Sequence, residues 1–169
     1  MRISVIVKKY LLFLVLPLVA VDQFTKFLVL THMEPGQSIP VFSFLQLTYV
    51  TNTGVAFSLF RSFSGANTFF ALVTALVLAL IAGFAIKNQD SLSPLMRSAF
   101  SLVIAGAVGN LIDRFVHGHV IDFIDIFAGT WHWPVFNIAD SCISIGATLL
   151  LLSELWGRCF SLCITSCWK

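Results

Sequence analysis

The sequence predicts an all-α membrane protein with four transmembrane helices, a small β-sheet on one face and an outer loop over a site where helix ends meet. Three observations carry this. The composition is 58% hydrophobic and 11% charged with a mean hydropathy of +0.94, far outside the usual soluble range. Four runs are long and apolar enough to cross a bilayer, which takes roughly 20 residues each. Three of those runs turn polar at one end only.

The first span covers about 10–30, follows Lys8 and Lys9, and carries Asp22, Gln23 and Lys26 in its second half. A basic start before an apolar run resembles a secretory signal peptide. The apolar pattern resumes after Lys26, however, and no small-residue cleavage site precedes Asp22, so the segment reads as a retained anchor. The second span, 66–86, is uninterrupted and closes on Lys87. The third, 95–116, becomes polar at Asn110, Asp113 and Arg114, and the fourth, 138–157, begins with Asp140 and Ser141. With no repeat, linker or low-complexity stretch, residues 1–169 read as one domain.

Two segments lie between spans on the outer side. Residues 39–60 are rich in Phe, Val, Thr and Tyr with turn residues Asn52, Thr53 and Gly54, which suits a small sheet on the membrane surface. Residues 117–136 contain Trp131, Trp133 and Pro134 and read as an interfacial loop holding Asp122 over the helix ends.

Basic residues set the orientation. Arg2, Lys8, Lys9, Lys87, Arg97, Arg158 and Lys169 fall on one side, against Lys26, Arg61 and Arg114 toward the other, so both termini are expected in the cytoplasm. Asp22, Asn110, Asp113, Arg114, Asp122 and Asp140 then converge at the outer face. No basic patch suggests nucleic acid.

Carboxylates near membrane depth are expensive, and such residues usually have a function. Asp122 and Asp140 on one side of the bilayer can share a proton and activate water, the minimum needed to hydrolyse a peptide bond. Asp125 is a rival that spacing alone does not exclude, though a solvated loop carboxylate is its plain reading. His32, His117, His119 and His132 lack a helical His-xxx-His pair and the loops offer no cysteine, so no metal is expected. Cys142 reads as a small packing residue. Cys159, Cys163 and Cys167 read as reduced thiols on one face of a short interfacial helix.

Five ordered motifs decide between these possibilities: Asp22-Gln23-xx-Lys26, Thr51-Asn52-Thr53-Gly54-Val55-Ala56-Phe57-Ser58, Gly106-xx-Gly109-Asn110-Leu111-Ile112-Asp113-Arg114, Gly118-His119-Val120-Ile121-Asp122-Phe123 and Phe136-Asn137-Ile138-Ala139-Asp140-Ser141. Together they resemble bacterial lipoprotein signal peptidase, also called signal peptidase II. The resemblance implies a four-helix inner-membrane aspartic peptidase with no cofactor, its sheet and site on the periplasmic face. It would cut prolipoproteins just before a cysteine carrying diacylglycerol.

Residue by residue, the resemblance implies Asp122 and Asp140 as catalytic, and Asn52, Gly54, Asn110, Arg114, Asn137 and Asp22 as substrate-binding. Local readings compete: Asn137 as a helix cap, Asn52 and Gly54 as a turn, Asp22 and Lys26 as a neutralising pair. Lys26 and Asp113 are expected as structural support, and Gly106 and Gly109 as close-packing positions. Membrane lipids and diacylglyceryl-prolipoproteins are the expected partners of a monomer. The cyclic peptide globomycin is the expected inhibitor, with a hydroxyl between Asp122 and Asp140. A small proton-coupled transporter is the alternative, disfavoured because the carboxylates cluster at one face rather than the midplane. A non-enzymatic lipoprotein-binding scaffold would need no aspartate pair.

Overall fold

The computed structural model describes residues 5–54 and 65–166, with side chains through residue 155 of the last helix. The chain starts as α1 (Val5–Tyr10), widens into a π-turn (Leu11–Val15) and continues as α2 (Leu16–His32). Pro17 explains the break. Its ring cannot donate to the carbonyl of residue 13 and crowds it, so the preceding turn opens. The hydropathy of 10–30 gave no hint of this.

Among the described residues, three helices are long and apolar enough to span a membrane: α3 (Ala66–Lys87), α4 (Pro94–Val116) and the Ile138–Leu155 part of α5 (Ile138–Ser166). α3 is apolar all round and buries only Ala66 and Ala71, as expected of a helix facing lipid on most sides. α4 is the central helix and packs against α2, α3 and α5. Its start is set by Pro94 in the first turn and by Ser93, whose Oγ accepts the Met96 N–H at 3.2 Å. α5 runs on to Ser166 without interruption. The expected separate interfacial helix around Cys159 and Cys163 is therefore an extension of the fourth helix, and Cys167 lies outside the described residues.

Small residues let α4 and α5 touch. Gly106 faces the Ala139 carbonyl so closely that a Cβ would collide with it, and Gly146 faces the Ala99 carbonyl in the same way. A Cβ on Gly109 would meet the Asp22 carboxylate at 2.5 Å. These contacts bring the start of α5 against the polar end of α4.

The sheet is larger than the sequence suggested. β1 (Ser38–Phe42), β2 (Leu45–Asn52), β3 (Val120–Ala128) and β4 (Trp131–His132) form one antiparallel sheet in chain order. Residues 120–128 and 131–132, expected as loop, are thus strands. β3 is buried along most of its length, so its sequence lacks the apolar–polar alternation that marks a half-exposed strand. Residues 55–60, the rest of the expected sheet segment, lie outside the described residues.

Val29 and Met33 at the end of α2 pack with Tyr49, Ile121 and Phe123 into one apolar cluster, which docks the sheet on the helix ends. A second tie is polar. Ile124 N–H donates to the Phe136 carbonyl at 2.7 Å and Phe136 N–H returns to Ile124 at 3.1 Å, fixing the residue just before Asn137 to β3. Replacing Gly106 with alanine should separate α4 from α5 and cost about 1–3 kcal/mol. The measurement is the unfolding midpoint in detergent, which should fall.

Candidate active site

Asp122 extends from β3, and Asp140 from the first turn of α5. Asn137 lies between them. Its side-chain Oδ1 accepts the Asp140 N–H at 2.8 Å while Asp140 Oδ2 accepts the Asn137 N–H at 3.3 Å, a reciprocal cap of the helix start. The same amide donates through Nδ2 to Asp122 Oδ1 at 2.8 Å, with Asn110 Oδ1 and the Ile121 carbonyl at 3.1 and 3.3 Å. One asparagine therefore touches both carboxyl groups. The helix cap read from sequence is present, and the same side chain also bonds Asp122.

Two further amides complete the frame. Asn110 Nδ2 donates to Asp140 Oδ1 at 2.7 Å, and Asn52 Nδ2 donates to Asp122 Oδ2 at 2.9 Å. Asn52 reaches Asp122 diagonally across the strand pair, since it lies opposite Val120 in the register. Its own oxygen accepts the Gly54 N–H at 2.8 Å. Gly54 adopts φ +91°, and a Cβ there would strike the Phe70 ring, so the turn that aims Asn52 requires glycine.

Beneath this frame sits a buried ion cluster. Lys26 Nζ contacts Asp113 Oδ2 at 2.7 Å, Asp22 Oδ2 at 2.9 Å and Asn110 Oδ1 at 3.1 Å, which uses all three ammonium hydrogens. Asp22 Oδ1 accepts the Ala139 N–H at 2.8 Å, one of the otherwise unpaired donors at the start of α5. Asp113 accepts Gln23 Nε2 at 2.9 Å and the Ile121 N–H at 3.2 Å. Each carboxylate ties a different element to Lys26. Arg114 donates from one terminal nitrogen to the Asn110 carbonyl at 3.3 Å, and its Nε is buried without a hydrogen-bond partner among the described residues.

Burial pushes the Asp122 carboxyl up to about 6, and the charge of Asp140 adds to the push. Hydrogen bonds from Asn52 and Asn137 and the charge of Lys26 oppose it.

The sequence comparisons agree on one family. Residues 14–156 match the family described as Signal peptidase (SPase) II. The chain belongs to the signal peptidase II family. It is 41% identical over 131 residues to the lipoprotein signal peptidase of Alteromonas mediterranea, covering 78% of this chain and 72% of the relative. To that of Photorhabdus laumondii it is 40% identical over 143 residues, covering 85% and 86%. To that of Syntrophus aciditrophicus it is 45% identical over 139 residues, covering 78% and 83%. Its fold matches a bacterial membrane enzyme solved by the in meso method at 2.3 Å, with a TM-score of 0.79, 36% identity and 94% of both chains covered.

Set on this family frame, four residues expected to hold substrate have their side chains committed within the protein. Asn52, Asn110 and Asn137 hold the two carboxyl groups, and Asp22, 1% exposed, caps α5 and neutralises Lys26. The neutralising pair read from sequence is present, with Asp113 as an added partner. One reading is corrected: Asp125 is a buried strand residue, not a solvated loop carboxylate. Burial pushes its carboxyl up, but hydrogen bonds from Gln46, His132 and Thr48 outweigh that and hold it below the usual range. Three residues from Asp122 on one strand, it points to the opposite face. Sequence reasoning missed the Gln46, Thr48 and His132 partners because it placed Asp125 and His132 in a loop.

Replacing Lys26 with methionine should cost about 3–5 kcal/mol, since Asp22 and Asp113 would remain buried without their cation. A sharp drop in detergent unfolding midpoint is the expected result. Asp122 contributes a separate pH dependence. Its folded value of about 6 lies above the ordinary 3.8, so its stabilising contribution is full below about 4 and lost as pH rises through 6. That contribution amounts to roughly 3 kcal/mol. Asp122→Asn should flatten the wild-type decline in unfolding midpoint over this window.

Proposed function

We propose that the chain is an aspartic endopeptidase that removes the signal peptide from diacylglyceryl-modified prolipoproteins, cutting before the lipidated cysteine. The observation that carries this is the contact of Asn137 with both carboxyl groups, its side-chain N–H donating to Asp122 and its backbone N–H to Asp140, in a chain of the signal peptidase II family. Related proteins named lipoprotein signal peptidase support the substrate class.

Two carboxyl groups sharing this frame resist simultaneous ionisation, so together they retain one proton and titrate as a unit. The ionised member takes a proton from a water molecule as the water oxygen attacks the scissile carbonyl carbon. The protonated member hydrogen-bonds the carbonyl oxygen as it gains negative charge. Collapse of the tetrahedral intermediate breaks the C–N bond, and the departing amine takes a proton from the dyad. The net reaction adds one water across the peptide bond. Arg114, one turn beyond Asn110 on α4, is assigned to hold a substrate carbonyl.

In this reading 1–169 is a single membrane domain with four spans, α1 through α2 acting as the first despite its π-turn. Residues Val5–His32 would extend about 42 Å if helical throughout, enough to cross a hydrocarbon core of about 30 Å. The excess of basic residues at the opposite end from the dyad supports cytoplasmic termini in the inner membrane and a periplasmic site. The protein works as a monomer without nucleic acid. Globomycin blocks it by placing a hydroxyl between the two aspartates.

The deciding experiment uses purified protein in detergent and a diacylglyceryl prolipoprotein peptide. Asp122→Asn and Asp140→Asn should fold yet lower the cleavage rate by at least about 10³-fold, as loss of an acid–base partner commonly does. Asp125→Asn should keep cleavage within about tenfold of wild type. Near-normal cleavage by either dyad variant would exclude that residue from the chemistry.

A further inference from the structure

At the end of the bundle opposite the dyad, α1, the π-turn, α3 and α4 enclose a cavity of about 190 Å³. A lone water needs roughly 10–15 Å³ of such space, so the gap is no water-sized packing fault. Its walls are mainly apolar, Val7, Leu11, Ala85 and Phe100 among them, and Gln89 and Arg97 supply a polar edge. Arg97 Nε donates to the Gln89 carbonyl at 3.1 Å, which orients the guanidinium. Its terminal nitrogens make no hydrogen bond among the described residues. The Gln89 side-chain oxygen is buried and has no donor among the described residues, a deficit that a bound group could meet.

Charge completes the pattern. Lys8 and Lys9 end α1, Lys87 ends α3 and Arg97 opens α4, while Asp90 is the acidic residue of the intervening turn. Four cations against one anion leave an excess of three positive charges on the helix ends and turn at this end of the bundle, and Arg97 brings one of them to the groove itself. Basic pockets between membrane helices suit anionic lipid headgroups.

We propose that this groove binds an anionic glycerophospholipid from the surrounding leaflet. One acyl chain fills the cavity, the phosphodiester pairs with Arg97, and a headgroup hydroxyl donates to Gln89 Oε1. The phosphate alone would leave that acceptor unmet, so a hydroxylated headgroup fits better than a bare phosphate. The site is remote from Asp122 and Asp140, and the inference stands apart from the hydrolytic reading.

The test reconstitutes the full chain in bilayers of equimolar phosphatidylglycerol and phosphatidylcholine, then weighs the lipids retained on the extracted protein by native mass spectrometry. Wild type should retain phosphatidylglycerol over phosphatidylcholine on the order of fivefold, the effect of about one basic side chain at a lipid surface. Ala85→Phe fills the groove and keeps every charge, whereas Arg97→Gln keeps the groove and removes the central cation. Both should lose the preference while retaining prolipoprotein cleavage in detergent, which reports an intact fold. Equal retention of the two lipids by wild type overturns the proposal. So does an undiminished preference in Ala85→Phe, which would place the lipid on the charged rim, or in Arg97→Gln, which would remove the arginine from recognition.

Discussion

The burial of one ammonium group between two carboxylates organises the site. Lys26 is 1% exposed, and so is Asp22, while Asp113 is fully buried. An isolated charge at that depth would be prohibitive, so the three must be assembled together or not at all. Their remaining hydrogen bonds extend outward, from Asp22 to the start of α5, from Asp113 to β3, and from Lys26 to Asn110. The elements carrying Asp140 and Asp122 are thus each tied to the same cation. Misplacing either would leave a buried charge or backbone N–H unmet.

Asparagines stand between this cluster and the carboxyl pair. A lysine or arginine bonded directly to Asp122 or Asp140 would favour its ionised form and fix which one keeps the proton. Neutral amides impose a weaker bias. Asn110 turns its oxygen toward Lys26 and its nitrogen toward Asp140, so the cation also decides which way that amide points. Counting Lys26 and Arg114 against Asp22, Asp113 and one ionised dyad member leaves a local charge of −1 (two positive, three negative). Ionising the second dyad member would make it −2, which the low-dielectric surroundings resist. The frame thus fixes the position of the two carboxyl groups through neutral N–H donors.

Much of this was legible in the sequence. Hydropathy located α3, α4 and the membrane part of α5 close to their observed limits, because lipid demands long uninterrupted apolar runs. Asp122, Asp140, Asn110 and Asn137 stood out because polar residues gathered at one end of the spans. What stayed hidden depended on tertiary burial. β3 lacks alternation because both of its faces are covered, so Asp125 looked like a loop residue. Had the strand been recognised, the odd spacing of Asp122 and Asp125 would have separated their faces at once. Asp22 and Asn52 illustrate the other limit: a motif marks a residue as belonging to a site without saying whether its atoms face substrate or support a neighbour.

The origin of the carboxyl groups in two different layers has a consequence for folding. Asp140 is placed by the packing of α5 on α4, through Gly106 and the Asp22 cap. Asp122 is placed by the sheet, which reaches the helices through Val29, Met33, Tyr49, Ile121 and Phe123. Neither layer holds a pair by itself. The Phe136–Ile124 backbone bonds and the Asn137 side chain close the seam, so the pair exists only where the sheet has docked. Before docking, Asp122 keeps its Asn52 contact within the sheet but lacks Asn137 and is apart from Asp140, so the two carboxyl groups are not yet brought together. Assembly of the extramembrane sheet and completion of the carboxyl pair are therefore one event.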